Sequence, residues 1–296
     1  MTGVVSHSLL TPSPILCYHA HMAYRAIVLA DSTDGTDLPG NRLTTVAVTL
    51  AKSVVAQLNT HRVLSRNSAS SRAIPTARII QAVLDEPFIP EWGRNCPGMH
   101  SHEDLSPEES AEATRRWLLA RDSAVDHARG LHAIGVHKED ANRGLEPWMW
   151  TTVIVTATDV GWRSFFDLRC VEGADRKIRT PARLIHDAMV ASTPKEMQPG
   201  EWHLPLIDAE DRRNVTNPQI LARISAARCG RVSYLRHDEK RPIEEDLARA
   251  QSFIDQRHPS PLEHQASLAS SVGMVPTMTG NFGHCRWWQF RKIVGQ

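Results

Sequence analysis

The sequence predicts an α+β fold in a single domain, and three observations lead there. One run dense in β-branched residues reads as a buried strand, several other segments carry helical spacing or helix-start signals, and no linker or internal repeat divides the 296 residues. Ala51, Val54, Val55 and Leu58 recur at helical spacing. They predict a helix from residue 45 to about 63 that delivers a polar segment from its C-terminal end. Ser106, with Glu109 three residues later, has the form of a capping box and opens a helix over 107–131. Thr151, Val153, Ile154, Val155 and Thr158 mark the strand, because branched side chains fit a pleated, covered surface. A short helical piece over 162–169 follows it. Residues 181–191 and 242–257 are further helices, the second with Glu244, Glu245 and Asp246 in its first turn, where the helix dipole favours them. Residues 31–41, 87–102 and 193–217 are rich in Gly, Pro, Asp or Asn and read as loops.

A formal net charge of +1 argues against a general nucleic-acid binder, whose footprint is a strongly basic face. Cys17, Cys96, Cys170, Cys229 and Cys285 are spread widely and form no CxxC pair, so a reducing, cytoplasmic setting is expected. Ser6, His7, Ser8, Pro12 and Pro14 interrupt the N-terminal apolar residues, which argues against a signal peptide. Nowhere do about 18 apolar residues run together, so no membrane span is expected.

Residues 57–75 carry the clearest chemical signal. Arg62, Arg66 and Arg72 stand among Ser65, Ser68, Ser70 and Ser71, and no Asp or Glu occurs between Asp37 and Asp85 to neutralise them. Guanidinium forks and short hydroxyls on a turn suit a small anion, phosphate above all. A solvated basic loop is the alternative. Two further classes compete: a non-catalytic binder of nucleotides or single-stranded nucleic acid, and a metal hydrolase. The first lacks a stacking strip of aromatic residues beside the arginines. The second is suggested by 15 histidines, His100 with His102 and His132 with His137 among them, yet no HExxH spacing occurs.

The run from Gln57 through Thr60-His61-Arg62 to Ser70 and Arg72 resembles the signature of the flavin-dependent thymidylate synthases, in which Arg-His-Arg is followed, after seven residues, by Ser and then Arg. Arg143-Gly144-Leu145-Glu146-Pro147 resembles the family's Arg-x-x-Leu-Pro turn, with Glu146 where leucine is usual. Phe165-Phe166-Asp167-Leu168-Arg169 resembles its Phe-Leu-x-Leu-Arg. Residues 226–234 and the run His258-Pro259-Ser260-Pro261-Leu262-Glu263-His264 are similar to a segment that precedes the arginine triplet in the usual order. Here that segment follows it. The chain therefore resembles a circularly permuted branch, with residues from about 220 to 296 as the moved segment of one catalytic domain, 1–296; folds tolerate such a change when the old termini are close.

The resemblance implies a central, mainly antiparallel sheet flanked by helices, and a homotetramer whose active sites are shared between subunits. It implies reductive C5-methylation of a uridine 5′-monophosphate nucleotide, UMP or dUMP, with FAD, 5,10-methylenetetrahydrofolate and NADPH. UMP itself is the substrate class of a relative such as the C5-methylase of polyoxin biosynthesis. Membrane and nucleic-acid partners are not implied, and no metal is. Gln57, Ser70, Ser71, Arg72, Arg143 and Arg169 are the implied nucleotide contacts, with Arg169 and Ser70 as the catalytic candidates. His61, Arg62, Asn67, His258, Ser260 and Glu263 are the implied cofactor contacts. Arg143 could instead pair with Glu139 or Glu146, and His258 could merely cap a turn. Thr60 replaces the first arginine of the triplet, with Arg291 as a possible substitute, and Ser68 stands where many members have glutamate. Gly173 and Asp175 stand where the family often has His and Gln.

Overall fold

The computed structural model describes residues 24–234, 242–270 and 276–295. Cys17 and the N-terminal residues read against a signal peptide lie outside them. Among the described residues there are eight strands: β1 (Arg25–Thr33), β2 (Arg42–Ala51), β3 (Ser65–Ser68), β4 (Trp150–Thr158), β5 (Lys195–Glu196), β6 (Trp202–His203), β7 (Ala266–Leu268) and β8 (Trp287–Gln289). The first five form one sheet in the order β3-β4-β2-β1-β5, antiparallel throughout except for the short β1–β5 pairing. β6, β7 and β8 form a smaller antiparallel sheet. The architecture is α+β with a mainly antiparallel central sheet, as expected.

Several predicted elements fall where the sequence placed them. The long helix is Pro107–Ala133, with the Ser106–Glu109 capping box made in both directions. The β-branched run is β4, and helices Asp159–Arg169, Arg176–Val190 and Ile243–Asp255 match predicted ones, the second starting five residues earlier than read. The helix predicted from residue 45 is a correction: residues up to Ala51 are strand β2, and helical turns occupy only Lys52–Val54 and Val55–Asn59. Both faces of β2 are covered, so apolar residues fall on it without simple alternation and can be read as a helix. Its Thr44, Thr45, Val46, Val48 and Thr49 were the contrary signal. The loop read over 193–217 holds β5, β6 and the short helix Ala209–Asn214.

The sheet's two faces are of different character. Val46, Val48 and Leu50 of β2 and Val153, Val155 and Ala157 of β4 point toward Trp162, Phe165, Ile178, Ala182 and Ile185 of the two helices that follow, forming the main apolar core. Trp162 Nε1 donates to the Thr44 carbonyl at 3.2 Å, so its buried ring has a polar tether. The opposite face carries Leu43, Thr45, Ile154 and Thr156, and residues from 197 onward pack on it: Met197, Cys229, Val232, Leu268, Phe282 and Trp287.

That second face contains a buried hydrogen-bonded chain. Ser32 Oγ meets His203 Nδ1 at 2.9 Å, His203 Nε2 meets Thr45 Oγ1 at 2.8 Å, Thr45 meets Thr156 at 2.7 Å, and Thr156 meets His264 Nδ1 at 2.8 Å. Cross-strand register brings Thr45 and Thr156 directly opposite each other. Burial pushes both imidazoles down to about 3, so they are neutral in the native state.

In the unfolded chain these histidines protonate near their ordinary value of about 6.5, while the native ones stay neutral. The unfolded state therefore takes up protons that the native state does not, and stability falls as pH drops below about 6.5 toward 3. The expected slope is about 1.4 kcal/mol per pH unit for each histidine. Urea denaturation at pH 7.5, 6 and 5 reads this slope, and Thr45→Val with Thr156→Val should lower stability further at every pH.

Candidate active site

Two polar clusters flank the helical turns that leave β2. The first surrounds residues 69–74. After β3 the chain turns through Ser70 into a 3-10 turn, Ser71–Ala73, whose leading N–H groups have no acceptor within the turn. Carbonyls of the loop are drawn the other way by side-chain donors. Asn142 Nδ2 donates to Ser71 O at 2.8 Å and Ile74 O at 3.0 Å, Lys138 Nζ to Ala73 O at 3.2 Å, and Lys52 Nζ to Ala69 O at 3.2 Å. The loop is thus held by its acceptors. Arg72 is exposed and makes no ion pair or side-chain hydrogen bond among the described residues.

Arg143 sits at the head of the 3-10 turn Arg143–Trp148, which leads into β4. Its Nη1 donates to Glu146 Oε1 at 3.2 Å, the pairing that sequence spacing allowed, and Ser71 Oγ donates to the same oxygen at 2.7 Å. Lys52, which sequence reading passed over, belongs to this cluster. Burial lowers its pKa, the nearby Glu146 carboxylate raises it, and the Arg143 charge lowers it.

The second cluster gathers Gln57, Thr60, His61, Arg66, Arg169 and Asp175. Arg169 ends the Asp159–Arg169 helix, and its Nε donates to His61 Nε2 at 2.8 Å while Nη2 donates to Thr60 Oγ1 at 3.3 Å. His61 is buried, with its ring edge-on to Phe165 at 4.9 Å. Burial, then the positive charges of Arg169 and Arg66, lower its pKa, so it is neutral and accepts at Nε2. Gln57 Nε2 donates to Asp175 Oδ2 at 2.8 Å. Burial raises the Asp175 pKa, but the Lys177 N–H, Gln57 and the Lys177 charge outweigh it and hold the carboxyl below its ordinary value. Asp175 also lines a cleft of about 580 Å³ with His100, His102, Arg176, Lys177 and Arg179.

The implied cofactor residues are placed unequally. Asn67 Nδ2 donates to Cys229 O at 2.8 Å, and Ser260 Oγ donates to Arg66 O at 2.7 Å and Asn67 Oδ1 at 3.0 Å. Glu263 Oε1 accepts from Arg291 Nη1 at 2.6 Å; burial raises the carboxyl's pKa, and Arg291, Arg66 and Lys292 pull it back. Arg291 is therefore held by Glu263 and by Asn281, while the Thr60 hydroxyl donates to Gln57 O at 2.7 Å and meets Arg169. Arg62 and His258 are exposed, with no side-chain hydrogen bond among the described residues; His258 packs edge-on to Phe253 at 5.7 Å. Ser70 is half-buried.

Among the described residues, no group of three or more His, Cys, Asp or Glu side chains is arranged to hold a metal ion, and no helix is long and apolar enough to cross a membrane. His100 and His102 stand ring to ring at 4.6 Å.

The sequence profile of the family described as thymidylate synthase complementing protein matches residues 43–195, a little over half of the chain. No curated protein matches. Among solved structures, the UMP/dUMP methylase PolB from Streptomyces cacaoi bound with 5-Br UMP is similar at 17% identity and a TM-score of 0.45, over 57% of this chain and 94% of that one. The same methylase bound with 5-Br dUMP is similar at 19% identity and a TM-score of 0.39, over 51% and 71%.

Asn142 is the buried strut of the first cluster. Asn142→Ala leaves the Ser71 and Ile74 carbonyls without their side-chain donor, and should cost about 1–3 kcal/mol by urea denaturation. Amide hydrogen exchange in residues 70–74 should speed up in this variant while β2 and β4 stay protected.

Proposed function

The chain belongs to the thymidylate synthase complementing protein family, and from that premise we propose that it carries out flavin-dependent reductive C5-methylation of a uridine 5′-monophosphate nucleotide. The observation that carries this reading is the delivery of Arg169 to the Thr60–His61 turn across 108 residues of sequence, with its Nη1 left over among the described bonds. A guanidinium held by two of its nitrogens and open at the third suits a pyrimidine carbonyl, where a fixed cation stabilises charge that develops during attack from C5. Neutral His61 accepts from Arg169 and keeps that fork oriented. Gln57 stands beside it.

The nucleotide's phosphate is assigned to Ser70, Ser71, Arg72 and Arg143. The leading N–H groups of the 3-10 turn and the unpaired Arg72 guanidinium support this, since both present donors to an anion. Ser68 and Thr60 are smaller than the residues the family usually has there, so both UMP and dUMP should be accepted.

The residues fit FAD in part. Arg62 and His258 are exposed and free to meet an added dinucleotide, whereas Asn67, Ser260 and Glu263 use their polar atoms within the chain, in the same wall as His61. When bound, FAD would supply the hydride, with NADPH as its reductant and 5,10-methylenetetrahydrofolate as the one-carbon donor. The protein's part is to bind, orient and exclude water. Assembly into a homotetramer is part of the same reading. Only Val125 and Ala128 of the long helix are buried, and Leu119, Leu131 and Ile134 are exposed on or beside it, which supports a further copy covering this face.

Purified protein incubated with FAD should show bound flavin absorbance, and Arg62→Ala should weaken that binding about tenfold or more. Turnover of UMP and of dUMP should both be detected with methylenetetrahydrofolate and NADPH, and Arg169→Ala should reduce either on the order of 100-fold. Protein that binds nucleotide but never flavin would favour a non-catalytic binding role. Light scattering alongside the assay should find activity in the tetramer and none in a monomer.

A further inference from the structure

Glu146 stands at an unexpected place for an acid. It is on the Arg143–Trp148 turn, where the resembled motif has leucine, and one carboxylate oxygen, Oε1, accepts from both Ser71 Oγ at 2.7 Å and Arg143 Nη1 at 3.2 Å. Those two donors are among the four residues assigned to the nucleotide's phosphate. A carboxylate and a phosphate compete for them, because like charges close together repel and the Ser71 hydroxyl has a single hydrogen to give, while Arg143 keeps further N–H groups for the phosphate.

Resting on the functional reading above, we propose that Glu146 is a specificity-determining residue: it occupies the acceptor place of the nucleotide 5′-phosphate in the free chain, and only a phosphate dianion displaces it, toward Lys52. The ammonium of Lys52 has three donor hydrogens, and its one hydrogen bond among the described residues goes to Ala69 O. Its backbone N–H donates to the Met149 carbonyl at 2.8 Å, three residues past Glu146, and the Glu146 charge raises the ammonium's pKa against the effect of burial. Lys52 therefore offers the displaced carboxylate a second anchor.

The chemistry sets the selectivity. A phosphate monoester carries about −1.5 to −2 charge and three terminal oxygens near neutral pH, so it out-competes a singly charged carboxylate for Ser71, Arg143 and Arg72. A nucleoside without phosphate has nothing to offer these donors and leaves Glu146 in place. The carboxylate also keeps the Ser71 hydroxyl and the Arg143 guanidinium ordered before the nucleotide arrives, so it trades affinity for discrimination.

Isothermal titration of the full chain with UMP, dUMP, uridine and inorganic phosphate tests this. Glu146→Gln and Glu146→Leu should both bind the two nucleotides and inorganic phosphate more tightly, by roughly threefold to tenfold, since the competing pair is partly exposed. Uridine binding should not tighten. Lys52→Met should weaken nucleotide binding by a similar factor in the wild-type background and by clearly less in the Glu146→Gln background, which a purely structural lysine would not do. Equal or weaker nucleotide affinity in both Glu146 variants overturns the inference and leaves the functional reading intact, as does a Lys52→Met effect of the same size in both backgrounds. Failure of wild type and every variant to bind nucleotide, with folding intact, overturns the functional reading and this inference with it.

Discussion

The structure depends on a strand of four polar residues. β3, Ser65–Ser68, has one edge paired with β4 and carries Ser65 and Asn67 inward, buried. Buried polar groups are costly unless each is bonded, so the strand can lie there only if something satisfies it from the other side. Residues far along the chain do so. Ser260 binds the Arg66 carbonyl and Asn67, Asn67 binds the Cys229 carbonyl, and Gln289 Nε2 donates to Ser65 Oγ at 2.9 Å and to the Glu263 carbonyl at 2.9 Å. These bonds fasten the segment beyond residue 220 to the strand that follows the His61–Arg62 turn.

The central sheet divides the chemistry. Its apolar face, closed by Trp162, Phe165, Ile178 and Ile185, fixes the Asp159–Arg169 helix in place. That helix can then aim Arg169 at the Thr60–His61 turn. The other face is a mixture of apolar packing and the Ser32–His203–Thr45–Thr156–His264 chain, which demands correct register because a one-residue slip would take Thr45 from Thr156. Rigidity of the sheet is therefore shared with the clusters at its edge. Each cluster keeps an excess of positive charge: neutral His61 meets Arg169 and Arg66, and Glu146 is the one carboxylate named among Ser71, Arg143 and Lys52.

Much of this was legible in the residues. The β-branched composition of 151–158, the Ser106–Glu109 capping box and the acidic first turn near residue 244 are local signals, and local signals survive into the fold. The motif residues Gln57, His61 and Arg169 were legible by resemblance, and folding brings them together. β2 was misread because a strand covered on both faces loses its alternation. β3 carried no apolar residue by which periodicity could reveal it. Lys52 has no local mark, and Glu146 was visible only as an acid in a place usually held by leucine.

By itself the sequence determined the α+β class, the chemical types available and the stretch where arginines and hydroxyls crowd together. Those follow from composition, spacing and side-chain chemistry, which need no long-range contact. Only the tertiary structure decided which of those side chains are free. Arg62 and Arg72 remain exposed, Asn67, Ser260 and Glu263 are drawn into the seam, and Arg143 is already paired. The reason is physical: a hydrogen bond between residues 108 or 193 apart is set by how sheets and helices pack, and packing depends on the whole chain at once.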